Sequence, residues 1–191
     1  VLSRSSLTLA ILALLLAGCD REAPGTAQEQ GELADAKAGL AGEIDRSRAG
    51  ELMPAARVVD PGGRELNLGA LQGTPVLLNL WATWCAPCVV EMPQLDELAG
   101  ELDGAVRVVT VSQDLRGAER VGPFFAERGF AHLEPWLDPN NELGFKVESD
   151  NLPTTILYDE SGREVWRIAG EYDWSGAAAR EAVVEGLQPE R

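Results

Sequence analysis

The sequence predicts an α/β domain, a mixed central sheet with helices on both faces, and three observations carry this. Between Val76 and Arg128 apolar strand runs alternate with helical patterns in the order strand, helix, strand, helix. Near the C-terminus two further strand runs are joined by a tight turn and followed by one more helix, which adds antiparallel strands to a sheet that begins parallel. Two cysteines separated by two residues, Cys85 and Cys88, stand where the first long strand meets the first long helix.

The first 18 residues form no part of that domain. Arg4 is the sole charge before Asp20, and Leu7 to Ala17 is almost wholly apolar. That run is too short for a bilayer, which takes about 20 residues, but suits the core of an export signal. From Cys19 to Gly50 Ala, Glu, Gly, Gln and Asp dominate and aromatic residues are absent. Such a segment buries too little apolar surface to offset its ordering entropy, so residues 19–50 are expected to form a flexible tether. The domain is placed at 51–191, a normal size for one core.

Within it a hairpin comes first, Arg57 to Asp60 and Glu65 to Leu68 around the turn Pro61-Gly62-Gly63. Val76 to Trp81 is continuously apolar except for Asn79, the pattern of a strand buried on both faces. A helix follows from about Ala86 to Leu102. Pro87 is tolerated in its first turn, where its missing N–H would be unpaired anyway. Pro93, inside the helix, is expected to kink it. Then come a strand at Val106 to Ser112, a helix at Ala118 to Arg128, an extended piece near Leu133 to Leu137 and a helical turn at Asn140 to Phe145. Strands Thr154 to Tyr158 and Glu164 to Ala169 turn at Glu160-Ser161-Gly162, and a helix from Ser175 to Leu187 closes the chain. Trp81, Trp136, Trp166 and Trp174 read as packing residues and His132 as a surface or strand residue. With 31 acidic against 16 basic residues, the chain lacks the basic footprint that nucleic acid requires.

The unpaired N–H groups and the dipole at a helix start favour negative charge, and thiols placed there ionise at about pH 3.5–7.5. Cys85, at the exposed start of the helix, is therefore the expected attacking thiol and Cys88, one turn deeper, the resolving one. The same spacing serves zinc, but zinc wants four ligands, and beyond the pair the chain offers Cys19 and His132. A purely structural disulfide is the other alternative, and closing so small a loop removes little unfolded-state entropy. On the redox reading the pair carries the electrons itself, and no cofactor or metal is expected. Glu91 lies three residues after Cys88 and so shares its helix face; taken alone, such a residue is a solvated surface group.

The string Asn79-Leu80-Trp81-Ala82-Thr83-Trp84-Cys85-Ala86-Pro87-Cys88, with Glu91-Met92-Pro93 after it, resembles the TlpA/ResA branch of the thioredoxin superfamily. So does Leu152-Pro153-Thr154-Thr155 with Ile156-Leu157-Tyr158-Asp159 and Ser161-Gly162-Arg163. These are membrane-tethered extracytoplasmic thiol–disulfide oxidoreductases, and the resemblance spans roughly Leu52 to Leu187. It implies a thioredoxin fold with an N-terminal hairpin and a helical insertion around residues 113–146. It also implies that Glu91 is an active-site acid, taking a proton from Cys88 and returning one to the leaving thiolate. Asn79 departs from thioredoxin itself, which has a buried aspartate at that strand position, and so leaves the proton to Glu91. Pro153 is expected to be cis, with the Leu152 backbone pairing with an extended substrate segment. Trp84, Ala86, Pro87, Leu152 and Pro153 are the implied substrate contacts, Trp84 as an exposed platform.

Leu16-Ala17-Gly18-Cys19 resembles a bacterial lipobox, which implies cleavage after Gly18 and acylation of Cys19. Asp20 resembles an inner-membrane retention signal. The expected location is the cell envelope, anchored to the inner membrane and facing the periplasm. The implied clients are disulfide-bearing proteins of cytochrome biogenesis, either apocytochrome c or copper-site proteins of cytochrome oxidase. The implied electron donor is an integral membrane thiol reductase of the CcdA or DsbD kind. An oxidant or isomerase role stays open, as does copper delivery of the Sco type, which resembles three rather than two intervening residues.

Overall fold

The computed structural model describes residues 42–188. The expected export segment, Cys19 and residues 20–41 lie outside the described residues. Residues 42–50, assigned by composition to the tether, run along the domain. The Gly42 N–H donates to the Glu171 carbonyl at 2.6 Å, Asp45 and Arg167 exchange two backbone bonds of 2.8 Å, and the Gly50 N–H reaches the Glu164 carbonyl at 2.7 Å. Composition does not report this attachment because a strand edge, rather than a buried side-chain face, supplies most of the partners.

The elements are β1 (Arg57–Val59), β2 (Glu65–Asn67), β3 (Val76–Trp81), α1 (Ala86–Leu102), β4 (Arg107–Ser112), α2 (Ala118–Arg128), β5 (Trp136–Leu137), α3 (Glu142–Lys146), β6 (Thr154–Tyr158), β7 (Glu164–Ala169) and α4 (Ala177–Gly186). They build one seven-stranded sheet of order β2-β1-β5-β4-β3-β6-β7. β3, β4 and β5 run parallel, and the remaining pairings are antiparallel. This is the mixed sheet the sequence predicts. The insertion between β4 and β6 widens it, because β5 pairs with β4 on one side and β1 on the other.

All six residues of β3 are buried, and their alternation divides the core. Leu77 and Trp81 face α1, α2 and α4, packing with Met92, Leu95, Val121 and Val183. Val76, Leu78 and Leu80 face the opposite layer, with Val58, Leu68, Leu143 and Val147. Trp81 closes the first layer against Phe124 and Phe125, with ring centroids 5.1 and 6.0 Å away. Trp136 and Trp166 are buried as expected. Helix α1 continues on both sides of Pro93. No described helix is long and apolar enough to cross a membrane. The carboxyl ends of β3 and β4 meet at one edge of the layers, and the chemistry sits there.

Candidate active site

Beyond Trp81 the chain turns through residues 82–85 into α1. The turn is held from β4: the Gln113 N–H donates to the Trp81 carbonyl at 2.8 Å. Asp114, only 4% exposed, accepts from the Thr83 N–H, the Thr83 hydroxyl and the Ser112 hydroxyl, each at 2.8 Å. Sequence reading missed Asp114. Its available signal is the Ser112-Gln113-Asp114 run leaving a strand, where short polar side chains bond nearby backbone and hydroxyl groups.

Cys85 is the N-cap of α1 and is joined to Cys88 by a disulfide. The Cys88 N–H donates to Cys85 Sγ at 3.3 Å, so a backbone donor is already aimed at the sulfur that would carry a thiolate's charge. The expected exposure of Cys85 is not found: it is 6% exposed and Cys88 1%. Both sulfurs belong to the core layer of Trp81, Ala82 and Met92, with Leu152 packed against it. Trp84, next to Cys85, does stand out into solvent.

Glu91 is 2% exposed, one helical turn beyond Cys88. Its Oε1 accepts from the Tyr172 N–H at 2.7 Å, and its Oε2 from the Trp174 indole N–H at 3.2 Å. Burial pushes the carboxyl pKa up to about 7, against the pull of these two donors and with a small upward push from the Glu171 charge. Trp174, read from sequence as packing alone, thus also bonds the carboxylate through its indole, and its backbone N–H donates to Gln94 Oε1 at 3.0 Å. That contact joins residues 83 apart in the chain, so no local pattern announces it.

Asn79 is buried and donates from Nδ2 to Thr155 Oγ1 at 3.0 Å; it can hold a strand pair but not a proton. The Leu152–Pro153 bond is cis, as expected. The Pro153 carbonyl accepts from the Gly170 N–H at 2.8 Å. Thr154 Oγ1 ties the same loop by donating to the Asn151 carbonyl at 2.6 Å. A groove of about 610 Å³ runs beside the disulfide, lined in part by Ala86, Pro87, Val90, Leu152 and Glu171. The structure therefore brings Ala86, Pro87 and Leu152 together, with Pro153 buried behind them. Trp84 is not in that groove. It faces separate clefts, one of them shared with Leu152.

Residues 48–183 match the model of the Redoxin family. The chain belongs to the Redoxin family. This redoxin is similar to the thiol:disulfide interchange protein HelX of Rhodobacter capsulatus, 35% identical over 125 residues that make up 64% of this chain and 68% of HelX. It is also similar to the thiol-disulfide oxidoreductase ResA of Bacillus cereus, 29% identical over 134 residues, 70% of this chain and 76% of that one. Among solved structures, the exposed lipoprotein thioredoxin of Streptococcus pneumoniae superposes with a TM-score of 0.57 at 25% identity, covering 68% of this chain and 98% of that protein. The redoxin has a thioredoxin-like fold and is a thiol–disulfide oxidoreductase, with Cys85–Cys88 as its Cys-x-x-Cys disulfide.

Proposed function

We propose that this redoxin is a lipid-anchored, extracytoplasmic reductant of protein disulfides, with Cys85 as nucleophile, Cys88 as resolving thiol and Glu91 as proton relay. The observation that carries the proposal is the Glu91 carboxyl, buried on the helix face of Cys88 with its pKa raised to about 7. A group poised there accepts and returns a proton near neutral pH with little driving force lost. In the reduced protein the Cys85 thiolate attacks one sulfur of a client disulfide, and the client's other sulfur leaves as a thiolate and takes a proton. Glu91 then removes the Cys88 proton. The Cys88 thiolate attacks Cys85 Sγ and expels the second client sulfur as a thiolate, which takes that proton back from Glu91, leaving the client as a dithiol and the redoxin as the disulfide seen here.

The reductive direction, and clients among apocytochrome c or copper-site proteins of cytochrome oxidase, rest on the TlpA/ResA resemblance. On the same reading a CcdA- or DsbD-like membrane reductase returns two electrons to the pair. The anchor rests on the Leu16-Ala17-Gly18-Cys19 motif, and similarity to a protein described as an exposed lipoprotein supports it. Residues 1–18 are then the export signal, and residues between Cys19 and the attached segment at 42–50 the tether.

The chemistry is tested on a preformed mixed disulfide between Cys85 and a peptide thiol. Its resolution by Cys88 is expected to accelerate as pH rises through about 7, where Glu91 becomes the base form. In Glu91→Gln the reaction should slow by about 100-fold and lose that inflection. Equal rates and profiles in the two proteins would remove Glu91 from the mechanism. For the anchor, Cys19→Ser expressed in a bacterial host should move the protein from the membrane fraction to the soluble one. Retention of the variant in membranes would refute lipidation as the tether.

A further inference from the structure

One of the two donors to Glu91 comes from a peptide group that is itself held from behind. The Tyr172 N–H that donates to Glu91 Oε1 at 2.7 Å and the Glu171 carbonyl that accepts from the Gly42 N–H at 2.6 Å belong to that same group. We propose that Gly42 is a positioning residue for the proton relay: its bond to Glu171 sets the plane of the Glu171–Tyr172 peptide group and so keeps the Tyr172 N–H aimed at Glu91. The proposal rests on the reading of Glu91 as the relay.

A peptide group is planar, and in this trans one the carbonyl and the N–H point in opposite directions. Fixing the carbonyl therefore fixes the donor. A carbonyl that accepts a hydrogen bond also polarises the N–H of its own group, which strengthens the bond beyond it. The loop is tied on either side of this group. Before it, the Gly170 N–H donates to the Pro153 carbonyl at 2.8 Å, and after it, the Trp174 N–H donates to Gln94 Oε1 at 3.0 Å. Between those ties the Glu171 side chain is exposed, and the plane is set by Gly42 on one side and Glu91 on the other.

The seat of Gly42 admits no side chain. A Cβ there would press into Ile168 Cγ2 and stand 3.1 and 3.2 Å from the carbonyl oxygens of Gly170 and Ala169. Ile168 is buried and its branched side chain is stiff, so it does not swing aside. The chain is fixed again just beyond. Ile44 packs against the core layer that holds Cys85, Cys88 and Trp174, and Asp45 exchanges two backbone bonds with Arg167. Gly42→Ala therefore displaces the end of the segment and leaves the rest seated.

The sign follows from what Glu91 loses. A donor to the charged form lowers a carboxyl pKa, so without the Tyr172 N–H it rises. The titratable neighbours are Cys85 and Cys88 on its own helix and Glu171, Tyr172 and Asp173 on the loop. The Glu171 charge pushes in the same upward direction, and Asp173 is bonded to Ser175.

The test is the pH profile of mixed-disulfide resolution by Cys88 in the full chain, for the wild type, Gly42→Ala, Arg48→Ala and Glu91→Gln. Gly42→Ala should move the inflection from about 7 up by about one to two pH units, the effect of losing a donor to a charged group, with the plateau rate retained. Arg48→Ala loosens the segment elsewhere, at its bonds to Glu51, Glu148 and Val147, and should keep the wild-type inflection. Hydrogen exchange at the Tyr172 amide should quicken about tenfold in Gly42→Ala and stay unchanged in Arg48→Ala. A wild-type inflection or an unchanged Tyr172 amide in Gly42→Ala would overturn the positioning role and leave the relay standing, as would equal shifts in Gly42→Ala and Arg48→Ala. A wild-type profile without an inflection that Glu91→Gln abolishes would overturn the relay, and the positioning role with it.

Discussion

A carboxylate in a dry site is unstable unless something donates to it, and Glu91 draws both of its donors from one loop after β7. The Tyr172 donor is a backbone N–H, which only proline would remove and then with a constraint on the loop, whereas the Trp174 indole is removed by a side-chain change. A donor to the charged form lowers a carboxyl pKa, so its loss raises it. A hydrogen bond to a charged group is worth about 1.5–3 kcal/mol, and a pH unit about 1.4 kcal/mol. Trp174→Phe is therefore expected to move the inflection in mixed-disulfide resolution up by about one to two pH units, with the plateau rate above it retained. An unchanged inflection with a lower rate at every pH would make Trp174 a packing residue only, which is how the sequence presents it.

At the scale of elements, legibility followed the range of the interactions. The six-residue run of β3, the helix after the cysteines and the terminal hairpin are local patterns of apolar spacing, and each stands where that spacing puts it. Strand β5 has two residues and no periodicity of its own; its pairing with β4 and β1 makes it a strand. The cysteine pair and Glu91 were legible as motif and helix face. The Asp114 brace and the Trp174 bond were not, because each depends on which loops the fold brings to one edge. Asp114 gives the sharpest test at this scale. Its side chain is buried and its partners, Thr83 and Ser112, would be left without it. Asp114→Ala is expected to lower stability by about 2–4 kcal/mol in urea denaturation of the oxidised protein. It should also speed alkylation of reduced Cys85 as the loop loosens. A loss below about 0.5 kcal/mol, the usual range of a surface change, would show that the loop is held by other means.

For the whole molecule, the strand edge at β7 is engaged by residues 42–50 on one flank of the domain, while the cysteine pair lies at the carboxyl ends of the parallel strands. Neither groove beside Leu152 is lined by any of residues 42–50. A net charge of −15 adds long-range attraction for basic partner surfaces, weakened by salt. Whether this architecture serves reduction is read from the equilibrium reduction potential of Cys85–Cys88 in a graded thiol buffer. A reductant of protein disulfides should show a value near the about −270 mV of thioredoxin, whereas a value near the about −120 mV of DsbA would make the protein an oxidant.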